Sequence, residues 1–113
     1  MAIAPGKHDM TIQRRSDHSI TVTLKDSTNT AVNLTGYQIH SQIWDQLRTN
    51  KAADATCTVT NASTGTFTWS VTDTQTSNFF EDQYEYDVLL TNPAGLKEYW
   101  IEGTITMKEG YTA

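Results

Sequence analysis

The sequence predicts an all-β fold, an antiparallel β-sandwich of seven to eight strands with one short helix. Apolar and polar residues alternate at period two in several short segments, and turn-forming residues recur about every eight to twelve positions. Threonine supplies about a sixth of the 113 residues, and a β-branched side chain fits a pleated sheet better than a helix. These three observations together favour strands over helices along nearly the whole chain.

The length fits one domain with one hydrophobic core. The predicted divisions are an N-terminal arm at residues 1–6, the sandwich at residues 7–108 and a C-terminal tail at residues 109–113. The arm is short because Pro5 and Gly6 interrupt it.

The longest regular pattern predicts a β-hairpin at residues 83–107. Its inward-facing residues are expected to be Tyr84, Tyr86, Val88, Leu90, Tyr99, Ile101, Gly103, Ile105 and Met107. Residues 92–95 include Asn, Pro and Gly, which form turns readily, so a loop of about four residues is expected.

The register of this hairpin follows from the rule that residues facing each other lie on the same side of the sheet. Pairing Thr91 with Leu96 keeps the apolar residues together on one face. It also places Asp87 opposite Trp100. A slip by one residue would mix the two faces, which burial of either face opposes.

Further strand patterns precede the hairpin, at about residues 7–14, 19–25, 37–44, 55–60 and 67–71. Between them we expect an edge segment at 31–32, turns at 26–29, 33–36 and 61–65, and a solvated loop at 45–54. In the strand at 37–44, Ile39 and Ile43 face the core while His40 and Trp44 face outward. The strand at 67–71 turns Phe67, Trp69 and Val71 inward.

One short helix is predicted at residues 73–78. Thr72 or Asp73 is expected to cap it, because a side-chain oxygen at that position accepts an otherwise unpaired backbone N–H. Phe79 and Phe80 would then enter the core beneath the helix.

This helix leads into a strand with two tyrosines, Tyr84 and Tyr86. In immunoglobulin-like sandwiches a short corner segment precedes the penultimate strand. A tyrosine near the start of that strand hydrogen-bonds to backbone a few residues upstream. The predicted sandwich is therefore immunoglobulin-like, although the paired cysteines of antibody domains are absent. An OB-like or jelly-roll barrel is the second choice.

Composition argues against several partners. The net charge is −5 and Arg14-Arg15 is the one adjacent basic pair, whereas nucleic-acid binding usually requires a basic face. The chain has no apolar run near the roughly 20 residues of a membrane helix, and its start lacks the features of a signal peptide. We expect a soluble protein that binds neither nucleic acid nor membrane.

The residue types that carry catalysis or bind metals are not arranged in a known pattern. His8, His18 and His40 have no metal-ligand spacing, and Cys57 is the single cysteine. We interpret Cys57 as a small apolar residue of a strand. The sequence also lacks a nucleophile elbow and a glycine-rich phosphate loop.

Carboxylates on the outer face of the hairpin are the strongest chemical feature. The predicted register sets Glu85 opposite Glu102, with Asp87 two positions along. Such acids can form a hydrolase pair or a hard-cation site, but each needs a cleft that a flat sheet lacks. We therefore predict no catalytic, cofactor-binding or metal-binding residues and no cofactor, and we interpret the acids as solvated or interface charge.

Exposed apolar side chains on the same face indicate an interface. A contiguous apolar patch often marks a contact surface, and tryptophan is frequent among interface hot spots. The alternative is that one or two of these side chains cover the core at the sandwich edges. The candidate interface residues are Trp44, Glu85, Asp87, Leu89, Trp100 and Glu102.

Five short motifs occur in an order that resembles a known family. They are Val-Asn-Leu-Thr-Gly-Tyr at 32–37, Gly-Thr-Phe-Thr-Trp at 65–69, the helix at 73–78, Gln-Tyr-Glu-Tyr-Asp-Val at 83–88 and Ile-Glu-Gly-Thr-Ile at 101–105. The chain resembles small immunoglobulin-like modules of tailed-phage virion proteins, in particular the N-terminal module of the BppU-type baseplate upper protein family. The resemblance covers nearly the whole chain.

The resemblance implies a non-enzymatic structural role in a virion assembled in the bacterial cytoplasm. We expect an accessory tail, baseplate or fibre-attachment subunit that binds other virion proteins and copies of itself. The chain ends soon after its last strand, with no helical stalk or receptor-binding domain, so a stand-alone subunit is expected. The alternatives are a capsid cement or decoration protein, a module that binds host-surface carbohydrate, and an enzyme of unrecognised type.

Overall fold

The computed structural model of the chain describes residues 6–26 and 28–109. Within these residues the strands are Gly6–Lys7 (β1), Met10–Gln13 (β2), His18–Thr23 (β3), Gln38–Asp45 (β4), Lys51–Asn61 (β5), Thr66–Val71 (β6), Gln83–Thr91 (β7) and Lys97–Lys108 (β8). The helices are a 3-10 turn at Ala62–Thr64 and an α-helix, α1, at Asp73–Thr76. Residues 1–5 of the predicted arm, Ser27 of the predicted turn at 26–29 and residues 110–113 of the predicted tail lie outside the described residues.

The strands follow the order β1-β8-β7-β4-β5-β6-β3, and β2 also pairs with β8. All pairs are antiparallel except those of β1 and β2 with β8. The long strand β5 pairs with β4 through its first half and with β6 through its second half. The sheet thus curls into two layers, and the predicted all-β, immunoglobulin-like fold is confirmed.

The core lies between these two layers. Trp69 of β6 and Tyr86 of β7 are on strands that are not sheet neighbours, yet their ring centroids are 5.6 Å apart. The largest fully buried side chains are Trp69, Phe67, Phe79, Ile12, Leu34, Ile43, Leu90, Ile105 and Val88. The predicted inward set of β6 is confirmed, since Phe67, Trp69 and Val71 are all buried.

One hydrogen-bond chain crosses this core. The indole Nε1 of Trp69 donates to Ser41 Oγ at 2.8 Å, and Ser41 Oγ donates to the backbone oxygen of Asp87 at 2.6 Å. Ser41 is itself buried. Burying a polar group costs folding free energy unless the group is hydrogen-bonded. These two hydrogen bonds satisfy the side chains of both Trp69 and Ser41.

The hairpin of β7 and β8 is confirmed, but its predicted register is wrong. Thr91 pairs with Lys97 and not with Leu96. The loop closes one residue later than expected because Asn92 accepts twice: its Oδ1 accepts the N–H of Leu96, and its backbone oxygen accepts the N–H of Gly95, both at 2.9 Å.

A β-bulge then shifts the hairpin by one further residue. Val88 pairs with Ile101 and Leu89 pairs with Tyr99, so Trp100 is the extra residue between them. A bulge sets two residues against one and redirects their side chains. Tyr99 therefore faces outward beside Leu89, against the prediction, and Trp100 is half-buried and packs against the core.

The corner before β7 has the predicted cap and tyrosine contact, but α1 ends at Thr76 and not at residue 78. Thr72 caps α1: its hydroxyl accepts the N–H of Gln75, whose side chain in turn accepts the N–H of Thr72. The Tyr84 hydroxyl accepts the N–H of Glu81 at 2.8 Å, which is the upstream backbone contact expected of a corner tyrosine.

The two phenylalanines after this helix differ in burial. Phe79 is fully buried, whereas Phe80 is 78% exposed, so the prediction that both enter the core is wrong for Phe80. Adjacent side chains in extended chain point to opposite sides, which sends only one of them inward.

Two other predicted segments have different bounds. The strand expected at 7–14 is divided into β1 and β2, and the loop expected at 45–54 ends early because β5 begins at Lys51. The short edge segment expected at 31–32 contributes one bridge, between Lys25 and Ala31.

The break between β1 and β2 lies against β8. The backbone oxygen of His8 accepts from the Tyr86 hydroxyl at 2.5 Å, and Asp9 Oδ1 accepts the N–H of Thr104 at 2.9 Å. Gly103 is directly beneath, where a Cβ would be 1.9 Å from the His8 oxygen. The close approach of the His8 backbone to β8 therefore requires glycine at position 103.

Candidate functional site

The candidate site is the outer face of the layer that contains β4, β7 and β8. Alternation along each strand turns every second side chain away from the core. Across the strands these outward residues line up in rows. The middle row consists of Asp54 on β5, Gln42 on β4, Asp87 on β7, Glu102 on β8 and Lys7 on β1.

Two further rows flank the middle one. The row on one side consists of Trp44, Glu85 and Thr104. The row on the other side consists of His40, Leu89 and Tyr99. The face therefore has a charged centre between two rows that each contain an aromatic residue.

A groove of about 350 Å³ crosses this face. Its lining includes Lys7, Gln42, Trp44, Arg48, Glu85, Asp87 and Glu102. A smaller hollow of about 140 Å³ shares part of this lining and extends to His40, Leu89 and Tyr99. The two depressions form one continuous surface because Gln42, Trp44, Arg48 and Asp87 line both.

The turn after β4 places a cation over an aromatic ring. Arg48 has φ 55° and donates its backbone N–H to the oxygen of Asp45 at 3.0 Å. The Arg48 guanidinium carbon then lies 5.1 Å from the centroid of the Trp44 ring, within the range of a cation–π contact. The Trp44 Nε1 donates to Gln42 Oε1 at 3.0 Å, which holds the ring against the sheet.

The carboxylates of the middle row are paired differently from the prediction. Asp87 is opposite Glu102, whereas Glu85 is opposite Thr104 and accepts from its hydroxyl at 3.2 Å. Burial raises the pKa of the Asp87 carboxyl, Arg48 partly offsets this rise, and Glu102 adds to it. Two acids thus share one side of the groove, and one of them is partly desolvated.

The structure brings five of the six candidate interface residues together. Trp44, Glu85, Asp87, Leu89 and Glu102 lie on the outer face. Trp100 does not line either depression, because the bulge places it at the core edge. That any of these residues contacts a partner stays a prediction.

Lys7, Arg48 and Tyr99 are among the residues of this surface that are absent from the predicted interface. Lys7 lies on the short strand β1, next to Glu102. The composition of the loop does not reveal the turn that carries Arg48. Alternation without the bulge predicts that Tyr99 faces the core. The asparagine at position 92 is a signal in the sequence for this loop, because asparagine side chains readily accept from backbone N–H groups of a turn.

Within residues 6–26 and 28–109, no group of three or more histidine, cysteine or acidic side chains is placed to hold a metal ion. In the same part of the chain, no helix is both long and apolar enough to cross a membrane.

Cys57 is a half-buried strand residue packed against the core. Burial raises the pKa of its thiol to about 11, and the thiolate is the reactive form. We expect iodoacetamide to alkylate the folded protein at pH 8 roughly a hundredfold more slowly than the urea-unfolded protein. Mass spectrometry measures both rates, and rates of similar size would contradict the burial of this thiol.

No protein-family model and no curated protein matches the sequence. Among solved structures, the crystal structure of the Lin-41 filamin domain matches 88% of this chain and 84% of that chain, at 16% identity and a TM-score of 0.49. A structure from photo-crosslinking analyses of multimeric cell-adhesive interactions of VGSC beta subunits matches 99% of each chain, at 10% identity and a TM-score of 0.44.

Proposed function

We propose that the chain is a non-enzymatic structural subunit of a tailed-phage virion, a tail, baseplate or fibre-attachment component that binds other virion proteins through the outer face of β4, β7 and β8. The observation that carries the proposal is that aromatic, apolar and acidic side chains lie side by side on this face. Trp44, Leu89 and Tyr99 flank a row of carboxylates on one continuous surface.

Such a surface suits protein assembly. Interfaces use large aromatic side chains as anchors, and polar groups beside them fix the orientation of the partner. Tyr99 is 51% exposed, and its ring offers a large apolar area at little loss of side-chain freedom. The phage context is supported by the motif resemblance, and it makes the virion the place where partners are to be sought.

Location in the virion tests this proposal first. We expect mass spectrometry to find the protein in purified particles of the phage that encodes it, and cryo-electron microscopy to place it on the tail. Density on the capsid surface would favour the alternative, a cement or decoration protein. Absence from purified virions, with presence in infected cells, would reject both.

Removal of the aromatic anchors tests the face itself. We expect Trp44→Ala/Tyr99→Ala to lower the copy number in purified virions at least about tenfold, because hot-spot aromatics dominate interface energies. Copy number is measured by quantitative mass spectrometry, and circular dichroism verifies the fold.

Phe80→Ala is the matched control, since Phe80 is an exposed aromatic residue that lines neither depression of this face. Its copy number should equal that of the parent protein. An equal loss in both variants, or no loss in either, would argue against the outer face as the contact surface.

A carbohydrate-binding module is the second candidate, and the placement of Trp44 and Tyr99 beside Asp87 and Glu102 favours it. Exposed aromatic rings stack on apolar sugar faces, and carboxylates accept from sugar hydroxyls. Binding on a glycan array that is lost in Trp44→Ala/Tyr99→Ala would support this candidate. No binding across a broad array would remove it.

A further inference from the structure

Asp87 and Glu102 form a pair of like charges at the centre of the outer face. The two residues are directly opposite across β7 and β8, where Cβ atoms are about 4.5–5.5 Å apart and like charges destabilise the sheet. Among the described residues, neither carboxylate makes a hydrogen bond or an ion pair. A partner that supplies positive charge would relieve this repulsion.

The surrounding groove also carries an excess of negative charge. Its charged lining residues are Lys7, Asp45, Arg48, Glu85, Asp87 and Glu102, four acidic and two basic. Asp45 and Glu85 are already engaged: Asp45 accepts from the backbone N–H groups of the following turn, and Glu85 accepts from the hydroxyl of Thr104. The free acceptors are therefore concentrated in the opposed pair.

Arg48 shows what chemistry the groove accommodates. Its guanidinium lies over the Trp44 ring at 5.1 Å and lowers the pKa of Asp87, against the effect of burial. At one end of the groove a guanidinium group is thus stabilised by an aromatic ring face and by the negative charge of Asp87. At the other end Lys7 on β1 is the cross-strand neighbour of Glu102, but among the described residues Glu102 makes no ion pair.

An apolar surface adjoins the acidic pair. Leu89 lies two positions along β7 from Asp87, and Tyr99 is its partner on β8. Both residues line the hollow that Asp87 shares with the groove. An apolar side chain next to a cation in a partner segment would rest on this surface.

We propose that the outer face binds a basic protein segment, inserting an arginine or lysine side chain between Asp87 and Glu102 and placing an apolar neighbour on Leu89 and Tyr99. This inference rests on the proposed function, since it names the chemistry of the virion partner. The choice of occupant follows from charge complementarity: four acidic and two basic residues line the groove, and among the described residues its two central acids make no ion pair.

A random linear peptide library tests this chemistry and does not require an identified partner. We expect peptides selected on the immobilised protein to be enriched in arginine or lysine beside an apolar residue. Asp87→Asn/Glu102→Gln keeps the shape of both side chains and removes their charge, and it should weaken the selected peptides at least about tenfold in calorimetric titration.

Glu81→Gln/Asp82→Asn is the control, because it removes the same charge outside the groove. It should change the affinity by no more than about twofold. Selected peptides without basic residues, equal affinity for the two double variants, or the absence of any enriched peptide would overturn the inference.

Incorporation into virions separates this inference from the proposed function. If Asp87→Asn/Glu102→Gln and Trp44→Ala/Tyr99→Ala both lower the copy number, both ideas are supported. If only the aromatic variant does so, the face is an interface for a partner without the basic side chain, and the inference fails alone. If neither variant does so, the interface itself is rejected, and the inference fails with it.

Discussion

Gly103→Ala is expected to lower the free energy of unfolding by about 3 kcal/mol or more. The added Cβ would be 1.9 Å from the backbone oxygen of His8 and 2.7 Å from its carbonyl carbon, with Tyr86 Cε1 at 3.0 Å. Both of the nearest atoms belong to backbone, so no side-chain rotation relieves the overlap. The break between β1 and β2 must move away from β8, which strains the bond from the Tyr86 hydroxyl to His8.

Urea denaturation followed by circular dichroism measures this loss. Gly6→Ala is the matched control on β1, because a Cβ there meets its nearest atom, the Trp100 oxygen, at an ordinary 3.7 Å. We expect it to change the free energy of unfolding by no more than about 0.5 kcal/mol. A Gly103→Ala protein as stable as the parent would show that the two strands do not approach this closely.

Trp69→Ala is expected to cost about 4 kcal/mol of folding free energy, within the range for large aromatic residues in a core. The Trp69 side chain is fully buried and packs on Tyr86. Its loss opens a cavity between the layers and leaves the Ser41 hydroxyl without its donor. Urea titration by circular dichroism measures the change independently of tryptophan fluorescence.

Trp44→Ala provides the contrast for this prediction. Trp44 is half-exposed on the outer face and contacts Arg48, so its removal should cost about 1 kcal/mol. Equal losses for the two variants would contradict their assignment to core and surface.

The three tryptophans show how far alternation predicts burial. The period-two alternation of β6 and β4 correctly predicts that Trp69 is buried and that Trp44 lies on the outer face, because successive side chains of a regular strand point to opposite sides of the sheet. The same rule predicts that Trp100 faces outward, but Trp100 is half-buried at the core edge. The rule fails there because a bulge inserts one residue and interrupts the alternation.

The candidate site likewise contains residues that alternation predicts and residues that it does not. Its members on β4 and β7, Trp44, Glu85, Asp87 and Leu89, were predictable because those strands are regular over their whole length. The facing residues on β8 were not, since loop length and bulge together decide which residue is opposite Asp87. Arg48 was not predictable either, because its position over Trp44 depends on the left-handed conformation of one turn residue.

Local patterns are enough to predict the fold class, the strands of the hairpin, the capped corner before β7 and the inward set of β6. These features depend on periodicity and on side chains that hydrogen-bond to nearby backbone. The register of β8, the outward position of Tyr99 and the opposition of Asp87 and Glu102 appear only in the folded chain. They depend on the length of the loop and on the position of the bulge between β7 and β8, which are fixed when both strands pack on the same core. The local sequence pattern does not reveal either of them.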